Sequence, residues 1–217
     1  MNAIVAMCAN MGIGLENQLP WKCRNDMLRF KKLTIGKENN IVVMGKNTWE
    51  SVGILPKRHN FVISTTLHFN YEKNHYLIRT FKSIQEFLQF TQMGFSFDEI
   101  WVIGGSTLYK SFLDQQLIHH FYVTYIDKDI QCDTFMCPIP NYFLKQKVTI
   151  CDDLFESNYN IYYIIYKKII KDMKCSYKKT YPCIINDIHF DTYPDVYCTI
   201  DYNGKECQTS VSNLSLN

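Results

Sequence analysis

Apolar runs of strand length recur along the first two thirds of the chain. They are Ala3 to Ala9, Asn40 to Gly45, Phe61 to Ile63, Glu99 to Ile103, Phe121 to Ile126 and Ile161 to Tyr166, with Leu77 to Arg79 a shorter one. Between the early runs the apolar residues fall at helical spacing. Arg24 to Leu33 reads as a short helix with Met27, Phe30 and Leu33 on one face, and a second helix begins at Lys46. Ser83-Ile84-Gln85-Glu86 is a capping box that opens a helix running to about Met93, and Leu108 to Leu113 reads as another. Strands that alternate with helices build a parallel sheet covered by helices, and the last two runs, with no helix signal between them, add an antiparallel edge. The expected fold is a single α/β domain over residues 1–168: a mostly parallel central sheet, an antiparallel edge strand and flanking helices.

From Ile169 the pattern changes. Lys171, Lys174, Lys178 and Lys179 make a basic linker, and four of the nine cysteines lie between Cys175 and Cys207. Asn203-Gly204, between Val196 to Tyr202 and Lys205 to Val211, is the signal of a type I′ hairpin over 196–211. In that register Val196 pairs with Val211 and Ile200 with Cys207. Val196, Cys198 and Ile200 then form an apolar face that must dock on the main domain or on a partner. Residues 169–217 are expected to form a small C-terminal β-hairpin extension of unknown role.

Composition narrows the classes. The 217 residues are 47% apolar and 20% charged with a net charge of +2, enough for one sizeable core and without the concentrated basic character that nucleic acid demands. No apolar stretch is long enough to span a bilayer, and the first residues lack a leader pattern, so neither a membrane nor export is expected and the location is read as cytoplasmic. Nine cysteines with no C-x-x-C pair read as reduced, structural thiols, with no metal site expected.

Candidate chemistry centres on Asp26, which falls within the apolar stripe of its helix. Burial disfavours the charged form of a carboxyl and raises its pKa toward the range useful for proton transfer; the alternative is that Asp26 caps the helix or pairs with Arg24 or Arg29 at the rim. Gly12-Ile13-Gly14 follows the first strand and is read as a mobile loop that closes over a ligand. Gly45-Lys46-Asn47-Thr48 and Gly104-Gly105-Ser106-Thr107 each join a strand end to a helix start, where free amides and the helix dipole favour an anion. Ligands of open α/β sheets sit at the carboxyl ends of the strands, where both junctions lie.

Seven of these stretches, in order, resemble the dihydrofolate reductase family. They are Ile4-Val5-Ala6, Asn10-Met11-Gly12-Ile13-Gly14, Leu19-Pro20-Trp21, Arg24-Asn25-Asp26, Met44-Gly45-Lys46-Asn47-Thr48-Trp49-Glu50-Ser51, Ile103-Gly104-Gly105-Ser106-x-x-Tyr109 and Asp133-Thr134-Phe135. The resemblance implies reduction of dihydrofolate to tetrahydrofolate with NADPH, with Asp26 assisting protonation of the imine nitrogen, Trp21 holding a water and Thr134 supplying the hydroxyl on the acid or its water. It assigns Ile4, Val5, Asp26, Met27, Phe30, Val52, Arg58 and Ile103 to the substrate, with Arg58 gripping a carboxylate. Ala6, Ile13, Gly104, Gly105 and Tyr109 fall to the nicotinamide side of the cofactor and Lys46, Asn47, Thr48, Ser64 and Thr65 to its phosphates, and Gly14, Leu19, Gly45, Arg79, Ser106 and Thr107 are also assigned to the cofactor. Thr65 stands where many members carry a basic residue for the 2′-phosphate, which leaves Lys46 as the main candidate for that charge.

Two other readings compete. A reductase of the same fold acting on a pyrimidine intermediate of flavin synthesis explains the cofactor side but has no use for Trp21, Asp26 and Arg58. A binding module that recruits a protein partner through the tail hairpin would use the apolar face instead. The reductase unit itself is expected to be a monomer.

Overall fold

A computed structural model describes residues 1–151, 160–191 and 196–216. The chain runs β1 (Asn2–Cys8), β2 (Gly12–Gly14), α1 (Arg24–Ile35), β3 (Ile41–Gly45), α2 (Lys46–Val52), β4 (His59–Ile63), β5 (Asn70–Lys73), β6 (Tyr76–Phe81), α3 (Ile84–Gln92), β7 (Ile100–Val102), α4 (Ser106–Asp114), β8 (His120–Ile126), β9 (Thr134–Phe135), β10 (Phe143–Ile150) and β11 (Ile161–Lys168). Nine of these strands form one sheet in the order β10-β11-β8-β1-β7-β3-β4-β6-β5. The pairings from β8 through β1, β7, β3 and β4 to β6 are parallel, whereas β11 on β8, β10 on β11 and β5 on β6 are antiparallel.

This is the expected α/β architecture, with antiparallel strands at both edges rather than one. Strand β5 escapes the hydrophobic pattern because all four of its residues are exposed. Strand β10 escapes it because six of its eight residues are exposed. The central strands β3 and β4 are buried at four of their five positions, which is why they read as continuous apolar runs. Gly12–Gly14, expected as a loop, pairs as β2 with β9, so the segment after β1 is anchored to Thr134–Phe135. No helix among the described residues is long and apolar enough to cross a membrane.

The tail holds more than a hairpin. β12 (Lys174–Tyr177), β13 (Tyr181–His189), β14 (Tyr197–Tyr202), β15 (Lys205–Ser210) and β16 (Leu214–Ser215) form an antiparallel sheet in the order β15-β14-β13-β12-β16, with a 3-10 turn at Val211–Asn213 before the last strand. Asn203 and Gly204 take φ of 52° and 72°, the type I′ signature, and Ile200 faces Cys207 in the expected register. Val196, Cys198 and Ile200 are buried, and they share one core with Tyr142, Phe143 and Leu144 of the main sheet. Tyr142 and Phe190 close that junction edge to face at 5.6 Å.

Candidate active-site cleft

Helix α1 inverts the usual rule for an amphipathic helix. Its two buried residues are Asp26 and Thr34, while Met27 is 51% exposed and faces a cleft. That cleft, of about 620 Å³, opens between α1, the middle of β1 and the carboxyl ends of β3 and β7. Its apolar lining includes Ile4, Val5, Ala6, Ile13, Leu19, Met27, Phe30, Val52 and Ile103, and Asp26 is the one carboxylate among the lining residues.

Asp26 is 7% exposed. Burial pushes its carboxyl above the ordinary range, opposed by a hydrogen bond from Thr124 and by the nearby Arg29 guanidinium. The Thr124 hydroxyl donates to Asp26 Oδ1 at 2.5 Å and accepts from Arg29 Nη1 at 3.1 Å. Arg29 in turn lies 4.5 Å above the Tyr163 ring. Asp26 is therefore linked to Arg29 through a hydroxyl on β8, buried in the cleft wall rather than ion-paired at a solvated rim. At the head of α1, Cys23 Sγ accepts from the Asp26 amide.

The other wall is a backbone surface. Gly45 donates its amide to the Gly104 carbonyl at 2.7 Å, and the Gly104–Gly105 peptide is cis. Gly104 has φ of +115°, and a Cβ there would meet the Tyr109 ring at 3.2 Å. Tyr109 is buried and donates its hydroxyl to the Ile4 carbonyl at 2.6 Å, tying α4 to β1. Burial drives that phenol well above its usual pKa, so it stays a donor. The residues Lys46, Asn47 and Thr48 at the start of α2 and Gly105, Ser106 and Thr107 at the start of α4 line the same cleft. Across its mouth, Ser51 donates to the Asn17 carbonyl at 2.6 Å, from α2 to a tight turn after β2.

Several residues expected at the site have other protein neighbours in the structure. Thr134 lines the cleft, but its hydroxyl donates to Asp133 at 2.8 Å; the hydroxyl on Asp26 belongs to Thr124. Arg58 lies outside the cleft lining and is 2% exposed, held by the Pro56 carbonyl and the Thr34 hydroxyl with Phe30 against its guanidinium; burial lowers its pKa to about 10. Ser64 turns inward, where its hydroxyl accepts from the amides of Thr66 and Leu67, while Thr65 is exposed just beyond β4. Arg79 stacks over Phe81 and Phe90. Trp21 is buried with Cys8, Cys23 and Ile126, and its Nε1 has no protein partner among the described residues.

Sequence reasoning missed Thr124, Asn17 and Ser51. A threonine in a β-strand is unremarkable in sequence, and only its place on a strand facing α1 marks Thr124 as part of the site.

The sequence profile described as dihydrofolate reductase matches residues 1–168. The dihydrofolate reductase of Gallus gallus is 33% identical over 144 residues, covering 62% of this chain and 76% of that protein. That of Drosophila melanogaster is 34% identical over 151 residues, 65% of this chain and 81% of the relative. That of Aedes albopictus is 32% identical over 182 residues, 77% of this chain and 97% of the relative. With the profile spanning most of its length, the chain belongs to the dihydrofolate reductase family of oxidoreductases.

Proposed function

We propose that the protein reduces 7,8-dihydrofolate to 5,6,7,8-tetrahydrofolate with NADPH, and so supports thymidylate, purine and one-carbon metabolism. One observation carries the reading: the single acid of the cleft, Asp26, is buried, raised in pKa and oriented by Thr124. A carboxyl so placed can hydrogen-bond the polar edge of a pteridine and favour protonation of the adjacent imine nitrogen. The Arg29 guanidinium restrains how far burial raises that pKa, keeping the acid able to exchange its proton. Trp21 Nε1, a donor with no acceptor among the described residues, is suited to hold solvent beside it.

The cofactor side also fits. A Cβ at Gly104 would crowd the Tyr109 ring and its φ of +115° favours glycine, so bare backbone is kept at the cleft wall, where a flat ring can approach closely. Ala6, Ile13, Gly14, Leu19 and Tyr109 flank it, and the starts of α2 and α4 offer amides and hydroxyls for phosphates. When bound, reduced nicotinamide supplies the hydride. For the 2′-phosphate we assign Lys46, the one cation among the cleft-lining residues, together with the exposed Thr65. Arg58 is assigned to the substrate carboxylate, a role that requires Phe30 to move aside, because the guanidinium is buried behind that ring.

The test is loss of nicotinamide absorbance when protein, NADPH and dihydrofolate are mixed, with NADH run in parallel. Rapid loss with NADPH and slower loss with NADH is the expected result. No loss, with NADPH bound, overturns the reading.

A further inference from the structure

Two thiols meet under the segment that rims the cleft. Cys8 ends β1 and is fully buried, its backbone paired with Ile126 of β8. Cys132, two residues before β9, is only partly buried, and its sulfur stands 3.8 Å from that of Cys8. Gly12 lies flush over both. A Cβ there would fall 2.3 Å from the Cys132 sulfur and 2.9 Å from that of Cys8. Its φ is not left-handed, so it is the sulfurs, rather than the backbone conformation, that keep this position bare.

Gly12 opens β2, whose next residues, Ile13 and Gly14, line the cleft. Three ties join β2 to the Cys132 segment: the pairing with β9, the Asp133 amide on the Gly14 carbonyl at 3.0 Å, and the Gly14 amide on the Cys132 sulfur. A disulfide needs its sulfurs about 2.0 Å apart, so these two must close by roughly 1.8 Å. Cys8 belongs to a strand in the middle of the sheet and cannot follow without breaking it. The approach has to come from Cys132, which carries β9 and β2 with it and so displaces the Ile13–Gly14 wall.

A second close pair shows what is particular to this one. Cys175 and Cys183 lie 3.4 Å apart, but both are buried in the tail core. Of the four thiols only Cys132 is partly exposed, so only its pair can be reached by a reagent. Burial and the neighbouring Cys8 thiol push the Cys132 thiol up, with the Asp133 carboxylate adding to the rise and the Gly14 amide opposing it. The pair therefore rests protonated and reduced at neutral pH and reacts slowly, to sustained rather than brief oxidation.

We propose that Cys8 and Cys132 are a reversible redox switch on the rim of the cleft, closed by a small organic disulfide and inhibitory when closed. The Cys132 thiolate attacks one sulfur of the oxidant and releases a first thiol; the Cys8 thiolate then attacks the Cys132 sulfur and releases a second. Two electrons pass from the cysteines to the oxidant, and the two protons they lose balance those taken up by the released thiols. The effect on turnover rests on the reductase activity proposed above, whereas formation of the bond does not.

The test incubates the full chain with bis(2-hydroxyethyl) disulfide, removes the excess, and follows peptide mapping, NADPH affinity and turnover. The expected result is a Cys8–Cys132 cross-linked peptide, weaker NADPH binding and turnover lowered at least about tenfold, as shifts of this size near reacting groups produce. Dithiothreitol should restore both. Cys132→Ser and Cys132→Ala should turn over like the reduced parent and lose the response, and Cys183→Ser should keep it. No cross-link after prolonged exposure overturns the proposal, as does a cross-link that leaves turnover unchanged. If the reduced protein turns over no dihydrofolate, the reductase reading fails and NADPH affinity decides: an affinity unchanged by the cross-link then overturns the switch as well.

Discussion

Helix α1 and the tail sheet solve opposite problems. In the tail, burial follows hydrophobicity: Cys175, Ile185, Cys198 and Ile200 are inside, and Lys174, Lys205 and Glu206 are outside. In α1 the inside belongs to Asp26 and Thr34, and apolar Met27 faces the cleft. The tail gains stability from its pattern. The helix gives some up, because a carboxyl raised in pKa by burial is a desolvated charge at neutral pH. A surface where the hydrophobic rule is inverted, with a hydroxyl and a guanidinium arranged around the buried acid, is one shaped for a ligand rather than for folding.

The largest effect should come from reversing the inversion. Asp26→Asn should lower turnover near neutral pH by about 10² to 10⁴-fold while leaving NADPH binding intact, with less loss in acid, where the substrate arrives protonated. Steady-state rates and cofactor titration check both parts. The same variant should be more heat-stable than the parent at neutral pH. Because burial holds the folded Asp26 carboxyl above the ordinary carboxylate range, the folded state holds that proton more tightly, and the stability this provides is lost as pH rises through the folded pKa. The gain in melting temperature should therefore disappear below about pH 3.9. A variant no more stable than the parent at neutral pH would mean that Asp26 carries no desolvation cost.

In the tail, where burial and hydrophobicity agree, truncation should act on stability alone. Ile200→Ala should cost about 2 to 5 kcal/mol in denaturant unfolding, a cavity effect, with turnover per folded molecule unchanged. Because Ile200 shares its core with Tyr142 and Phe143, the loss should appear in a single transition with the main sheet. A separate early transition for the tail would break the idea of one continuous core.

Thr124→Val keeps the shape and removes the hydroxyl between Asp26 and Arg29. With its bond from Thr124 gone, the acid should titrate higher, moving the alkaline limb of the kcat/KM profile to higher pH, with turnover reduced about tenfold. Thr134→Val should leave that limb in place. The smallest effect belongs to the exposed Lys110–Asp114 pair, 2.6 Å apart one turn along α4, where Lys110→Ala should change stability by under about 0.5 kcal/mol.

What local patterning could decide, it decided. Continuous apolar runs and period-3.6 repeats mark the buried strands and the helices, because a strand buried on both faces is apolar throughout and neighbours one turn apart set the helical period. The Asn203-Gly204 pair specifies the hairpin register, because both residues need positive φ and a two-residue turn leaves one alignment. Asp26 stood out for the same reason, as an acid one helical turn before Phe30 on an apolar stripe. Patterning could not name its partners. Thr124 and Asp26 are 98 residues apart and meet because β8 lies beside β1 in the sheet. Arg58 reaches Thr34 across 24 residues by the same kind of accident of sheet order, and Cys8 and Cys132, 124 residues apart, meet only when β9 returns to β2. A residue's own chemistry and its near neighbours are written locally; which distant hydroxyl, guanidinium or thiol completes a site is decided by strand order, and strand order follows from packing of the whole chain.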